Sequence, residues 1–192
     1  GDLDLYDNVL VIGPSASISG ESNSNIIFSS FNNGSRGYLT TTRNYFTPLS
    51  SETFGNIGIT LSTTVPTGNT TIRRYFDAAA IGINTGMSKQ FSIVPAVNTD
   101  LNATMVMKYF GSECQGLNPS AMETYFSING GTSWIRTTST VDYNSETQSG
   151  TLTISGLSTF HDNNRWTASD DSHPLPVVLL SFVGSVNKRD VS

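Results

Sequence analysis

The chain has 192 residues, of which 36% are hydrophobic and only 13% charged, and its net charge is −5. Three lysines and one adjacent arginine pair, Arg73-Arg74, give no clustered basic footprint, which excludes a nucleic-acid binder of the usual kind. No segment approaches the roughly 20 apolar residues of a membrane-spanning helix, and the single cysteine, Cys114, excludes an internal disulfide.

In chain order, the pattern is β throughout. Leu3, Leu5, Val9, Val11 and Ile18 sit in short alternating runs broken by Asp7-Asn8 and Gly13-Pro14. Ile26-Ile27-Phe28 and Gly37 to Thr42 continue the series. Their rung-like spacing predicts either the end of a β-helix or stacked-turn solenoid, or an ordinary meander. A soft boundary falls at residues 44–56. Beyond it the predicted strands lengthen: Ile57 to Ser62, Thr70 to Phe76, Lys89 to Val94 and Ala103 to Phe110. Glu123 to Ser127, Trp134 to Thr137, Thr151 to Ile154 and Asn164 to Trp166 complete the set. One helical turn is expected at Ala78 to Ile81 and another at Pro119 to Met122. The expected fold is all-β: a β-sandwich, jelly-roll or Ig-like, over residues 56–170, with a β-rich lead-in over residues 1–55. Residues 171–192 read as a proline-bounded linker and an orphan strand seeking a sheet edge.

That tail, Pro174-Leu-Pro-Val-Val-Leu-Leu-Ser-Phe182, resembles the Leu-Pro-Val-x-Leu-x-x-Phe joint that precedes a fibronectin-like module in proteins exported by the bacterial type IX secretion system. Four further stretches resemble a recurrent segment of such surface proteins. They are Gly1 to Glu21, Phe54 to Ile59 with Thr70 to Arg74, Phe91 to Ala96 with Leu101 to Thr104 and Tyr109, and Ser127 to Trp134 with Arg165-Trp166. The resemblance implies a secreted or outer-membrane-attached, adhesin-like role without known chemistry. Its implied partners are other domains of the same long chain, with glycans or other surface ligands as candidates. The fibronectin-like module expected next would follow Ser192.

Ser127-x-Asn129-x-Gly131-x-x-Trp134 resembles the Asp-box, with Asn129 in place of the usual Asp. Physically it is a tight hairpin: the polar side chain bonds its own backbone, the glycines supply positive φ and Trp134 covers the turn. Trp134 and Trp166, the two indoles, are the candidate sugar-stacking aromatics, with core packing the favoured reading of each: Trp134 over its hairpin and Trp166 closing the last strand.

No catalytic residue is assigned. Glu113, Glu123, Asp142 and Glu146 offer carboxylates, but nothing pairs any two of them across a cleft. Glu113, next to the aromatic strand end Tyr109-Phe110, is the one expected to repay a check for burial. Arg73 and Arg74 should point to opposite faces of their strand, as surface cations or as partners for Glu113 or Asp77, or with one of them facing an acidic ligand. His161 and His173 are too few for a histidine metal site. No cofactor is expected. Calcium is the weak candidate, through Asp2-x-Asp4-x-x-Asp7, which lacks the Gly and terminal Glu of an EF-hand loop. Cys114 has no histidine nearby and reads as a bystander.

Overall fold

The computed structural model describes residues 1–77, 80–81, 84–170 and 172–173. The linker and the orphan strand expected in the tail therefore lie outside the described residues.

The fold is all-β. In chain order the strands are β1 (Leu3–Asp4), β2 (Val9–Ile12), β3 (Ile27–Phe28), β4 (Tyr38–Pro48), β5 (Ile59–Ser62), β6 (Pro66–Tyr75), β7 (Ala80–Ile81) and β8 (Asn84–Thr85). They continue with β9 (Gln90–Pro95), β10 (Ala103–Phe110), β11 (Met122–Ser127), β12 (Ile135–Thr137), β13 (Thr140–Asn144), β14 (Ser149–Leu157) and β15 (Arg165–Asp170). Two 3-10 turns, Gly111–Glu113 and Pro119–Ala121, are the helical segments among the described residues. The second occupies the turn expected at Pro119, and the Asn118 side chain caps it by accepting from the Ser120 N–H. The turn expected at Ala78 to Ile81 is not helical where it is described: Ala80–Ile81 pairs with Asn84–Thr85 as strand.

Seven strands form one sheet in the order β12-β11-β15-β9-β6-β4-β2, and four form a second in the order β13-β14-β10-β5. Both sheets contribute to one apolar core. Leu39, Ile72, Phe91 and Ile93 enter it from the first, and Ile59, Leu61, Met105, Met107, Leu152 and Ile154 from the second. Strict alternation produces this division. On β10, Met105, Met107 and Tyr109 are fully buried, while Lys108 is exposed and Thr104 and Val106 half-buried. Phe110, nominally on the wetter side, is also buried, because its ring lies beside the ammonium groups of Lys89 and Lys108.

The lead-in is built on two parallel pairings. β1 runs parallel to β3, with Leu3 opposite Ile27, and β2 runs parallel to β4, with Val9 opposite Tyr38. Parallel neighbours cannot be joined by a two-residue hairpin, so the chain traces the same path twice. The acidic turn braces the two coils. Asp2 accepts from the Ile26 N–H at 2.9 Å, Asp4 from those of Tyr6 and Ser30 at 2.9 Å, and Asp7 from the Asn33 amide at 3.1 Å. Burial opposes ionisation of Asp4, but the bonds from Ser30 and Tyr6, together with Arg36, hold its carboxyl below the ordinary value. Gly37 closes the corner: a Cβ there would collide with the Asn8 carbonyl.

The boundary near residue 55 does not separate two bodies. β2 and β4 belong to the same seven-stranded sheet as β6 and β9. Leu5, Ile12 and Ile27 belong to the same core as Ile72 and Met107.

Candidate functional site

The most distinctive chemistry sits where the loop between β2 and β3 crosses the body. Strand alternation sends Arg73 outward and Arg74 inward, as the sequence predicts, and the Arg74 side chain is fully buried. It meets Glu21 of the loop in a bidentate pair, Nη1 to Oε2 at 2.8 Å and Nη2 to Oε1 at 2.7 Å. Its terminal nitrogens also donate to the carbonyls of Ile57 (3.4 Å) and Ile27 (3.2 Å). Glu113, buried at the first 3-10 turn, lies 3.6 Å from Arg74 and 2.5 Å from the Lys89 ammonium. It also accepts the Phe110 N–H at 2.9 Å.

Two cations and two carboxylates thus neutralise one another in the interior. A buried charge without a partner is costly, and pairing plus hydrogen bonding is what makes its burial tolerable. Desolvation pushes the Lys89 amine down to about 8, with the neighbouring Arg74 charge acting in the same direction and Glu113 and Glu21 opposing them. For Glu21, burial favours the neutral acid, but the hydrogen bonds and charge of Arg74, with Lys89 behind it, hold the carboxyl below its ordinary value.

Above this cluster lies a pocket of about 320 Å³, with Glu21, Arg74 and Lys89 in its lining and Lys108 and Phe110 beside them. The β2–β3 loop forms one wall. It is held by the Ile18 N–H on the Gly55 carbonyl (2.9 Å), the Asn56 amide on the Ile18 carbonyl (3.1 Å) and the Ser112 N–H on Asn23 (2.7 Å).

Sequence reasoning reached part of this site. It singled out Glu113 for burial and offered Glu113 as an Arg74 partner. It missed Glu21, one acid in a polar loop, and Lys89, which stands directly before an apolar strand. No local signal marks either, because the network joins residues up to 92 positions apart, from Glu21 to Glu113.

The Asp-box-like segment forms its turn. Ser127 Oγ accepts from the N–H groups of Asn129 (3.2 Å) and Gly131 (2.8 Å) and donates to Asn129 Oδ1 (2.8 Å), which in turn accepts from the Ser133 N–H (3.0 Å). Gly130 and Gly131 have φ of +73° and +98°. Trp134 is 0% exposed and closes over the turn, its ring at van der Waals distance from where a Gly131 Cβ would stand.

The two tryptophans are not ligand platforms. Trp134 is wholly buried, and Trp166, 3% exposed, packs between Phe126 and Phe160. Their faces are used by the protein's own interior, which is the core-packing arrangement of the two.

The other carboxylates stand apart from the cluster: Glu123 pairs with Arg136 across β11 and β12, and Asp142 and Glu146 belong to the β13 hairpin. Among the described residues, no three His, Cys, Asp or Glu side chains gather to hold a metal ion. The acidic turn's carboxylates face separate donors, backbone N–H groups for Asp2 and Asp4 and the Asn33 side-chain amide for Asp7, rather than a common point. His161 stacks on Phe126, and His173 pairs with Asp170 at 2.8 Å. Cys114 is buried, and desolvation, reinforced by Glu113, pushes its thiol up to about 12, so it is not a thiolate nucleophile at neutral pH.

Comparison with protein-family models, curated proteins and solved structures finds no match to this chain.

Proposed function

We propose that the chain is a non-catalytic structural or adhesive module of a secreted, cell-surface bacterial protein, built as a sandwich-like body with a solenoid-like lead-in. The observation that carries this reading is the fusion of the two parallel coils into the edge of the seven-stranded sheet. Such a joint couples the two coils to the body through a continuous sheet rather than a hinge. The low charge content and the hydroxyl-rich surface, with Ser and Thr at roughly a quarter of the residues, suit an exterior setting. The buried carboxylates support a non-catalytic role. Glu21 and Glu113 are both committed to cations, and do not stand as a pair facing each other across a cleft, as glycoside hydrolysis requires.

The test has two arms. Antibodies against this chain should label intact cells of the producing bacterium; label that appears only after lysis overturns the surface assignment. The purified protein should turn over no chromogenic glycoside or ester; reproducible turnover overturns the non-catalytic assignment.

A further inference from the structure

The two large sheets end in four edge strands, β2 and β12 in one and β5 and β13 in the other. An edge strand presents free N–H and C=O groups to any other chain, and proteins guard such edges with charge, proline, bulges or cover. Three of the four are guarded. β12 carries Arg136, whose side chain is 56% exposed, and β13 carries the exposed Asp142. The outer edge of β5 is taken by the chain that precedes it: Glu52 and Leu61 exchange two backbone bonds at 2.9 Å, and the Thr63 N–H reaches the Leu49 carbonyl at 3.0 Å. β2 has none of these devices. Its sequence is Val9-Leu-Val-Ile12, its register with β4 is unbroken, and among the described residues no strand lies on its outer edge.

The side chains agree with the backbone. Val9 and Val11 share the outer face of the sheet with Tyr38 and Thr40, and Leu10 and Ile12 share the inner face with the fully buried Leu39 and Thr41. Val11 is 67% exposed. Leu10, although turned to the core side, is still 38% exposed, as a core side chain is where its sheet stops short.

The surroundings select the partner. From Asn8 to Gly20 no residue is ionisable, in a protein whose net charge is −5. Asp7, the acid before this stretch, is turned to the Asn33 amide. A foreign strand would be chosen by charge or by a side-chain pocket, and this edge offers neither. Two copies of the same edge can meet without setting carboxylate against carboxylate. Antiparallel pairing about a two-fold axis uses the same strand on both sides and keeps inner faces inner and outer faces outer. Leucine and isoleucine then meet on one face, and valine meets valine on the other.

We propose that β2 is a self-association edge: two copies pair β2 antiparallel to β2 about a two-fold axis, joining their seven-stranded sheets into one. Four residues from each copy make a short ladder, in the class of weak, reversible interfaces under about 1,200 Å² in total. The contact stands apart from the surface, non-catalytic reading and is tested separately from it.

The experiment is sedimentation equilibrium of the whole protein from about 5 µM to about 500 µM. The weight-average mass should climb from the monomer towards twice that value and stop there, because an isologous contact closes at two copies. Val11→Lys places a cation beside the edge at an exposed position. It should keep the wild-type melting temperature and weaken the association at least about tenfold, since like charges would face each other across the axis. Amide exchange of the wild type gives a measurement that needs no variant: residues 9–12 should exchange several-fold more slowly at the high concentration than at the low one, while β12 and β13 stay unchanged. A protein that remains a monomer across the range overturns the proposal. So does growth beyond the dimer, an association unmoved by Val11→Lys, or concentration-dependent protection that falls on another edge and leaves β2 unaffected.

Discussion

Lys89 and Glu113 form the tightest ion pair of the interior, both nearly sealed from water, and each is tolerable only because the other is present. Lys89→Met should leave Glu113 with the longer Arg74 contact as its one ion pair, beside the Phe110 N–H, and cost about 3–5 kcal/mol of unfolding free energy. Glu113→Leu should cost a similar amount by stranding the ammonium. Urea denaturation of the double variant should show a loss smaller than the sum of the two, because no uncompensated charge of the pair remains; strict additivity would mean that the pair is not coupled. The same lysine sets a pH dependence. Its folded value of about 8 lies below the ordinary 10.5. Between those values the unfolded chain holds the proton that the folded chain has released, so raising the pH favours the folded state. Below about 8 both states are protonated and the desolvation penalty is felt in full. The stability of the wild type relative to Lys89→Met should therefore rise as pH climbs from 8 towards 10.5, and a flat or falling difference would contradict the depressed amine.

At the scale of elements, β10 and the 127–134 turn were legible because their signals are local. Met105, Met107 and Tyr109 alternate with Thr104, Val106 and Lys108, and a period of two maps directly onto two faces. Met107→Asp should unfold the protein in a thermal melt, since a lone carboxylate would enter a site with no exposure. Its neighbour variant Lys108→Ser should shift stability by no more than about 0.5 kcal/mol. Gly131→Ala should destabilise by more than about 1 kcal/mol, because φ of +98° strains any side chain; an unchanged melting temperature would show that the turn relaxes freely. The β13 strand was not read from the sequence. Thr140–Asn144 has only Val141 and Tyr143 on its inner face, a pattern too short to stand out from a polar loop. Arg74 was readable from the same alternation that exposes Arg73, but no periodicity could bring Glu21 to it from a loop 53 positions earlier.

For the molecule as a whole, the question is whether the lead-in is an appendage or part of the folding unit. β4 carries the longest register of the seven-stranded sheet, pairing with β6 from Tyr38–Tyr75 to Tyr45–Gly68 before a bulge, and β2 covers its other edge. Glu21 supplies the bidentate partner of the fully buried Arg74, and the Ile27 carbonyl takes a further bond from the same guanidinium. Removing residues 1–36 would therefore uncover the edge of β4 from Tyr38 to Thr41, empty the core positions of Leu5, Ile12 and Ile27, and leave Arg74 without its bidentate carboxylate. The lost pair alone is worth several kcal/mol, comparable with the whole stability margin of an ordinary domain. The full chain should melt in one calorimetric transition, with amide protection lost together in β2, β6 and β10. The shortened chain should aggregate or remain unfolded, its open edge offering a template for pairing with other copies. Two separate transitions in the full chain, or a soluble, cooperatively folded product from residue 37 onward, would show that the two coils are an independent unit and that the ion cluster is not what binds them to the body.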